Sequence, residues 1–168
     1  MFRSLIALTP MLLAGTAALA QETTATANFV DAEGQDIGTA TLTDTPSGVL
    51  IELEVSGLPA ESWIAFHVHE HGSCEAHTDH ESAGDHFDPD GAQHGYRAPE
   101  GPHAGDMPNQ YVPADGVLRA HVFNAMVSLD DGDNAVRGRS LMLHADGDDY
   151  ESQPSGDAGD RIGCAVIQ

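Results

Sequence analysis

Between positions 49 and 55 apolar residues recur at every second place, Val49, Ile51, Leu53 and Val55, with Glu52 and Glu54 set between them. A period of two puts the apolar set on one face of an extended strand and the carboxylates on the other, so this stretch is a half-buried β-strand. Comparable runs at 24–30, 38–43, 63–70, 117–123, 140–144 and 162–167 predict further strands. Turn signals punctuate them: Ala32-Glu33-Gly34, Pro46-Ser47-Gly48, Ser56-Gly57-Leu58-Pro59 and Asp115-Gly116. No stretch combines helical periodicity with caps, and no internal repeat is visible. Short strands at this spacing predict an all-β sandwich or barrel, and 168 residues suit a single such domain.

The first twenty residues stand apart from this pattern. Arg3 gives a positive start, positions 5–13 an apolar run broken by Thr9 and Pro10, and Ala18-Leu19-Ala20 a small-x-small cleavage site. This predicts a secretory signal peptide over 1–20, cut after Ala20; the run is too short and interrupted to make a good membrane anchor. The remaining domain, 21–168, is expected in the periplasm or outside the cell. Removing Arg3 leaves five arginines, no lysine and 27 acidic residues, a formal charge of −22. Such a surface repels nucleic acid and anionic lipid, which excludes both as partners. In an exported chain, Cys74 and Cys164 suggest one disulfide, with two free thiols as the alternative.

Two stretches lack strand rhythm, 72–110 and 145–160. A loop of nearly forty residues inside a compact domain is functional or disordered. The strand Phe66-His67-Val68-His69-Glu70 leads into it, with His67 and His69 on one face and Phe66 and Val68 on the other. If Phe66 and Val68 face the core, the histidines lie outside and need a covering loop. By the same alternation Leu141 and Leu143 point inward and His144 outward. A histidine pair at this spacing also suits plain surface polarity. The loop, however, adds His86, His94, His103 and Asp106. Three histidines and a carboxylate suit tetrahedral zinc, and several imidazoles with an open position suit redox-active copper.

The strings Phe66-His67-Val68-His69-Glu70, Gly84-Asp85-His86-Phe87-Asp88-Pro89, Gln93-His94-Gly95 and His103-Ala104-Gly105-Asp106-Met107-Pro108-Asn109 resemble the copper/zinc superoxide dismutase family, in its bacterial exported form. Leu141-Met142-Leu143-His144-Ala145 and the run from Gly159 to Ile167 extend the likeness over essentially the whole mature chain, in the family's order. The resemblance implies a Greek-key β-barrel, an immunoglobulin-like arrangement with two long functional loops. It implies copper held by His67, His69, His86 and His144, and zinc held by His86, His94, His103 and Asp106, with His86 bridging. Asp148 would link a copper histidine to a zinc histidine, Cys74 and Cys164 would form the family disulfide, and Arg161 would lie beside the copper. The implied activity is disproportionation of superoxide to oxygen and hydrogen peroxide, with Arg161 and His86 as the catalytic residues. Homodimer and monomer both stay open.

The chain also departs from that family. Members that steer superoxide electrostatically usually carry lysines around the active site, and this chain has none. A slower encounter is therefore predicted, and a rate constant falling steeply with added salt would contradict it. Asp157 and Asp160 offer Arg161 an alternative role in a surface ion pair. His71, His77 and His80 read as solvated polar residues, or more sharply as an accessory metal-capture site. The competing function is a non-catalytic copper- or zinc-binding or storage protein on the same barrel, which would be expected to lack a ligand, the bridge or the arginine.

Overall fold

The computed structural model describes residues 23–168, so the segment expected to be a signal peptide lies outside the described residues. Within them the chain forms nine strands and two 3₁₀ turns. The strands are β1 (Thr24–Val30), β2 (Asp36–Thr45), β3 (Gly48–Val55), β4 (Ser62–Ile64), β5 (Phe66–His69), β6 (Gln110–Val112), β7 (Leu118–Asn124), β8 (Ser140–His144) and β9 (Arg161–Ile167). Seven of them make one antiparallel sheet in the order β5-β8-β9-β1-β2-β3-β7, and β4 pairs with β6. Among the described residues no helix is long and apolar enough to cross a membrane.

The period-two pattern is obeyed where it is clearest. Val49, Ile51, Leu53 and Val55 are all buried, and they join one apolar cluster fed by every strand, including Phe29, Leu42, Ile64, Phe66, Val112, Val122, Leu143 and Ile167. The sequence-predicted strand 63–70 is in fact two elements. At Ala65 the chain changes partners, since its amide donates to the Asp146 carbonyl at 2.8 Å and its carbonyl accepts from the His144 amide at 3.0 Å. Upstream, Trp63 pairs with Tyr111; downstream, Phe66 pairs with Leu143. Alternation is unbroken across a change of partner, so the sequence carries no mark of it. Strand β6, three residues long, falls at the end of the stretch read as irregular, and is too short to show a period.

Phe66 and Val68 enter the main core. His67 and His69 project from the opposite face, yet they too are fully buried. What covers them is loop 72–109, whose backbone continues the ladder along the free edge of β5. Val68 donates to the Gly105 carbonyl at 2.9 Å and accepts from the Phe87 amide at 2.8 Å, while the Gly105 amide donates to the Phe87 carbonyl at 2.8 Å. A Cβ on Gly105 would lie 2.4 Å from the Val68 carbonyl oxygen, so only glycine allows this approach. The loop is also tied to β9 by the Cys74–Cys164 disulfide, with Cα atoms 5.6 Å apart, which packs against Met142 and Ala83. The two cysteines are therefore not free thiols.

Candidate metal centre

The loop ladder sets the site. Isolated bridges place His86 opposite His69 and Asp106 opposite His67, so two loop residues are delivered beside the two β5 histidines by backbone register. His144 follows a register shift after Leu143 in β8 and faces the same place. The result is two groups with converging donor atoms: His67, His69, His86 and His144, and His86, His94, His103 and Asp106. Within each group the donor atoms lie within 4.8 Å of one another, and every member is buried.

The His67, His69, His94 and His144 rings each turn one nitrogen toward the donor groups and the other toward a protein oxygen. His67 Nε2 donates to Asp148 Oδ2 at 2.9 Å, which leaves Nδ1 facing inward without a partner. His69 Nδ1 donates to the Gly84 carbonyl at 2.9 Å, and its Nε2 comes within 3.4 Å of His144 Nε2. His144 Nδ1 in turn lies 3.4 Å from the Gly159 carbonyl. In the second group His86 Nδ1, His94 Nδ1 and His103 Nδ1 stand 2.9, 3.1 and 3.4 Å from Asp106 Oδ1. The other oxygen of Asp106 accepts from the Gly95 and His103 amides at 2.8 and 3.0 Å. His86 thus belongs to both groups, with Nδ1 in one and an unpartnered, buried Nε2 in the other.

Asp148 spans the groups from behind. Its Oδ1 accepts from His94 Nε2 at 3.0 Å, and its Oδ2 holds His67. Two neighbours fix it: Asn109 takes both backbone groups of Asp148 at 2.8 Å, and the Tyr150 amide donates to Oδ1 at 2.6 Å. Gly156, at φ +72°, leaves the space that this carboxylate fills; a Cβ there would meet Asp148 Oδ1 at 1.9 Å. Nothing in the local sequence pattern marks Asn109 or Gly156 as supports of Asp148. Asn109 lies at the end of a recognised motif, but nothing local shows that its amide reaches a residue 39 positions away.

Electrostatics separate the two groups. Burial, aided by the neighbouring His67, pushes His86 down to about 4 and His144 down to about 2, and burial with the nearby histidines holds His69 well below its usual range. The His69, His86 and His144 rings are therefore neutral at neutral pH, with lone pairs available. Burial also acts to lower His94, but hydrogen bonds to Asp106 and Asp148 outweigh it and raise that ring to about 9. Burial acts to raise Asp106, and contacts with His103, His86 and His94 overcome it, so this carboxylate stays ionised far below its ordinary range. Buried nitrogens with no protein partner, at His67 Nδ1 and His86 Nε2, are costly unless a cation takes their lone pairs, and His86, His94 and His103 converge on the ionised Asp106, so the donor set fits two metal ions.

Arg161 opens β9 and lines the same cleft of about 400 Å³ as His69, His86, His103 and His144. Its Nη1 donates to the His80 carbonyl at 2.9 Å and its Nη2 to the Gly84 carbonyl at 2.8 Å. It makes no ion pair with Asp157 or Asp160. His71 and His77 are exposed, as expected of solvated residues, but His80 is completely buried, which corrects its reading as a solvated side chain. None of the three joins either donor group.

An all-β scaffold carrying two ion positions that share one imidazole is a dinuclear, histidine-bridged metalloprotein centre. Residues 36–167 match the family described as copper/zinc superoxide dismutase. The chain is 46% identical over 161 residues to Superoxide dismutase Cu-Zn 2 of Aquifex aeolicus, covering 94% of each. Among solved structures it is similar to a SOD-like protein from Bacillus subtilis, at 32% identity and TM-score 0.81, covering 85% of this chain and 97% of that one. It is also similar to the Cu/Zn superoxide dismutase from Brucella abortus, at 30% identity and TM-score 0.72, covering 87% and 100%. The chain belongs to the copper/zinc superoxide dismutase family.

Proposed function

We propose that this chain disproportionates superoxide to oxygen and hydrogen peroxide, with copper among His67, His69, His86 and His144 and zinc among His86, His94, His103 and Asp106. One observation carries this function: the His86 ring presents a nitrogen to each donor group, which only a paired-ion site requires. Hydrogen bonds at the far nitrogens of His67, His69 and His94 hold these rings in place, as ligand-orienting partners do. Bound copper supplies one-electron chemistry, so that over one cycle two superoxide anions and two protons give one dioxygen and one hydrogen peroxide.

The chain's own residues do the rest. Two of the five guanidinium donors of Arg161 are committed to the His80 and Gly84 carbonyls, which leaves the others for a small anion in the cleft. His86 Nε2 is the atom positioned to hold a proton and pass it to the reduced oxygen species. Asp148 keeps the His67 and His94 rings from turning. Among the described arginines Arg161 alone lines the cleft, together with Glu70, Asp85 and Asp88, in keeping with weak electrostatic steering. A non-catalytic storage protein would be expected to lack a ligand, the bridging ring or the arginine, and all are present.

Further proposals concern the fold and its location. The sheet order, with β9 beside β1 and β7 beside β3, and the single core fed by every strand support a Greek-key barrel. The pattern of residues 1–20 supports export, with cleavage after Ala20 and residence in the periplasm or outside the cell. The decisive experiment loads the mature chain with both metals and measures superoxide decay beside the copper spectrum. Catalysed decay, with a copper signal that changes when zinc is withdrawn, is expected for the wild type, and both are lost in His86→Ala. Spontaneous decay in the fully loaded wild type would refute the enzyme.

A further inference from the structure

His80 is an unusual residue for a covering loop. It is the one buried residue between positions 75 and 82, with a relative exposure of 0%, and neither ring nitrogen has a hydrogen-bond partner. Its backbone is left-handed, at φ 58° and ψ 21°, directly after Asp79, which is also left-handed at φ 49°. Such a conformation is disfavoured for a side-chain-bearing residue, although His and Asp tolerate it better than most, and it persists where surrounding structure enforces it. An unpartnered buried imidazole is likewise costly. Both features meet in a residue whose carbonyl oxygen accepts from Arg161 Nη1 at 2.9 Å and from the Ala83 amide at 3.0 Å.

The second anchor of the guanidinium is different in kind. Gly84 is four residues further on, and its carbonyl accepts both Arg161 Nη2 at 2.8 Å and His69 Nδ1 at 2.9 Å. That anchor belongs to the metal-site ladder and stays wherever His69 stays. The His80 anchor lies outside that ladder: its carbonyl is shared with the Ala83 amide, and the flanking turn Ala76–Thr78 contains no buried residue. Within segment 75–82 the His80 ring is the one buried side chain, and the Cys74–Cys164 disulfide ties the chain down just before it. Burial and the adjacent Arg161 charge shift that ring toward its neutral form, against the opposing pull of the Asp31 backbone and of the Asp31 and Asp79 carboxylates, and a neutral ring does not repel the guanidinium.

We infer that His80 is the positioning residue for Arg161: its buried imidazole pins segment 75–82 in the left-handed backbone that aims the His80 carbonyl at Nη1, and so sets where the remaining guanidinium donors meet an anion. This rests on the proposed role of Arg161 as the group that receives superoxide. The role of His80 is carried by residues 75–82 and lies outside both donor groups.

The test uses azide, a stable monoanion, titrated against the copper absorption of the copper- and zinc-loaded protein at fixed ionic strength. Wild type, His80→Ala, Arg161→Ala and the double variant are compared. His80→Ala is expected to weaken azide binding roughly threefold to tenfold, and to have no further effect once Arg161 is gone. Equal losses in both backgrounds, or none beside an intact Arg161, would overturn the inference. If Arg161→Ala itself leaves azide binding unchanged, the role of Arg161 fails first and the role of His80 falls with it. A second readout needs no copper. In the zinc-loaded protein, nitrogen NMR of the Arg161 guanidinium should show slow rotation in the wild type and averaged signals in His80→Ala. His80→Asn, which tolerates the left-handed backbone, replaces the alanine variant if that one does not fold.

Discussion

Strand β3 alternates buried Val49, Ile51, Leu53 and Val55 with partly exposed Leu50 and Glu52 and exposed Glu54, whereas every residue of β5 is buried, its two histidines included. Both strands obey the same period, and both send one face into the same core. They differ in what meets the other face. The outer face of β3 meets water, so carboxylates there cost nothing. The outer face of β5 meets loop 72–109, and a buried imidazole is costly unless each nitrogen is satisfied. The far nitrogens of these rings find Asp148 and the Gly84 carbonyl, and the near ones converge where a cation can sit. A scaffold strand becomes part of a metal site when a loop closes over its polar face, with no change in the strand itself.

The contrast breaks most visibly if the loop is released. Removing the Cys74–Cys164 bond by Cys74→Ser frees a loop of 90 residues, for which chain entropy gives a loss of roughly 4–5 kcal/mol, read as a lower denaturation midpoint in the metal-free protein. A midpoint unchanged from wild type would mean that the backbone ladder alone holds the cover. Next in size is the support behind the rings. Asp148→Asn keeps the shape but loses one charge-assisted acceptor, and metal affinity should fall about 10–100-fold by competition with a chelator. An unaltered affinity would show that His67 and His94 need no orienting partner.

Acidity gives a smaller and graded effect. Because His94 is raised to about 9 from an ordinary 6.5, its proton adds stability to the metal-free fold that is complete below pH 6.5 and fades as pH climbs through about 9. Zinc must displace that proton, so zinc affinity should drop about tenfold for each pH unit below this value through this group alone. Calorimetric titrations near pH 7.5 in buffers of different ionisation heat should detect about one proton released; none released would refute a His94 ring held protonated between Asp106 and Asp148. The smallest change is expected on the open side of the sheet. Thr41→Ala in β2, exposed and distant from any loop cover, should alter stability by no more than about 0.5 kcal/mol in a denaturant titration. A larger loss there would erase the distinction between the two faces.

Much of this site could be read along the chain. His67 and His69 share a face by simple alternation, and Leu141 and Leu143 correctly forecast an outward His144. The family likeness carried the remaining ligands, His86, His94, His103 and Asp106, whose spacing follows neither a strand nor a helix. Less could be read of the supports. Asn109 reaches Asp148 across 39 positions, and His80 sinks from a stretch that otherwise looks solvated. The break at Ala65 left no trace because partner exchange does not disturb alternation.

Local chemistry decided the strand period, which faces are apolar, and which residue types are fit to bind metal, because these depend on side chains a few positions apart. Closure of the loop decided the rest: which nitrogens converge, that one ring serves two ion positions, and which carbonyls hold Arg161. Those outcomes depend on distances between segments far apart in the chain, and such distances exist only once the backbone of the loop has paired with the edge of β5.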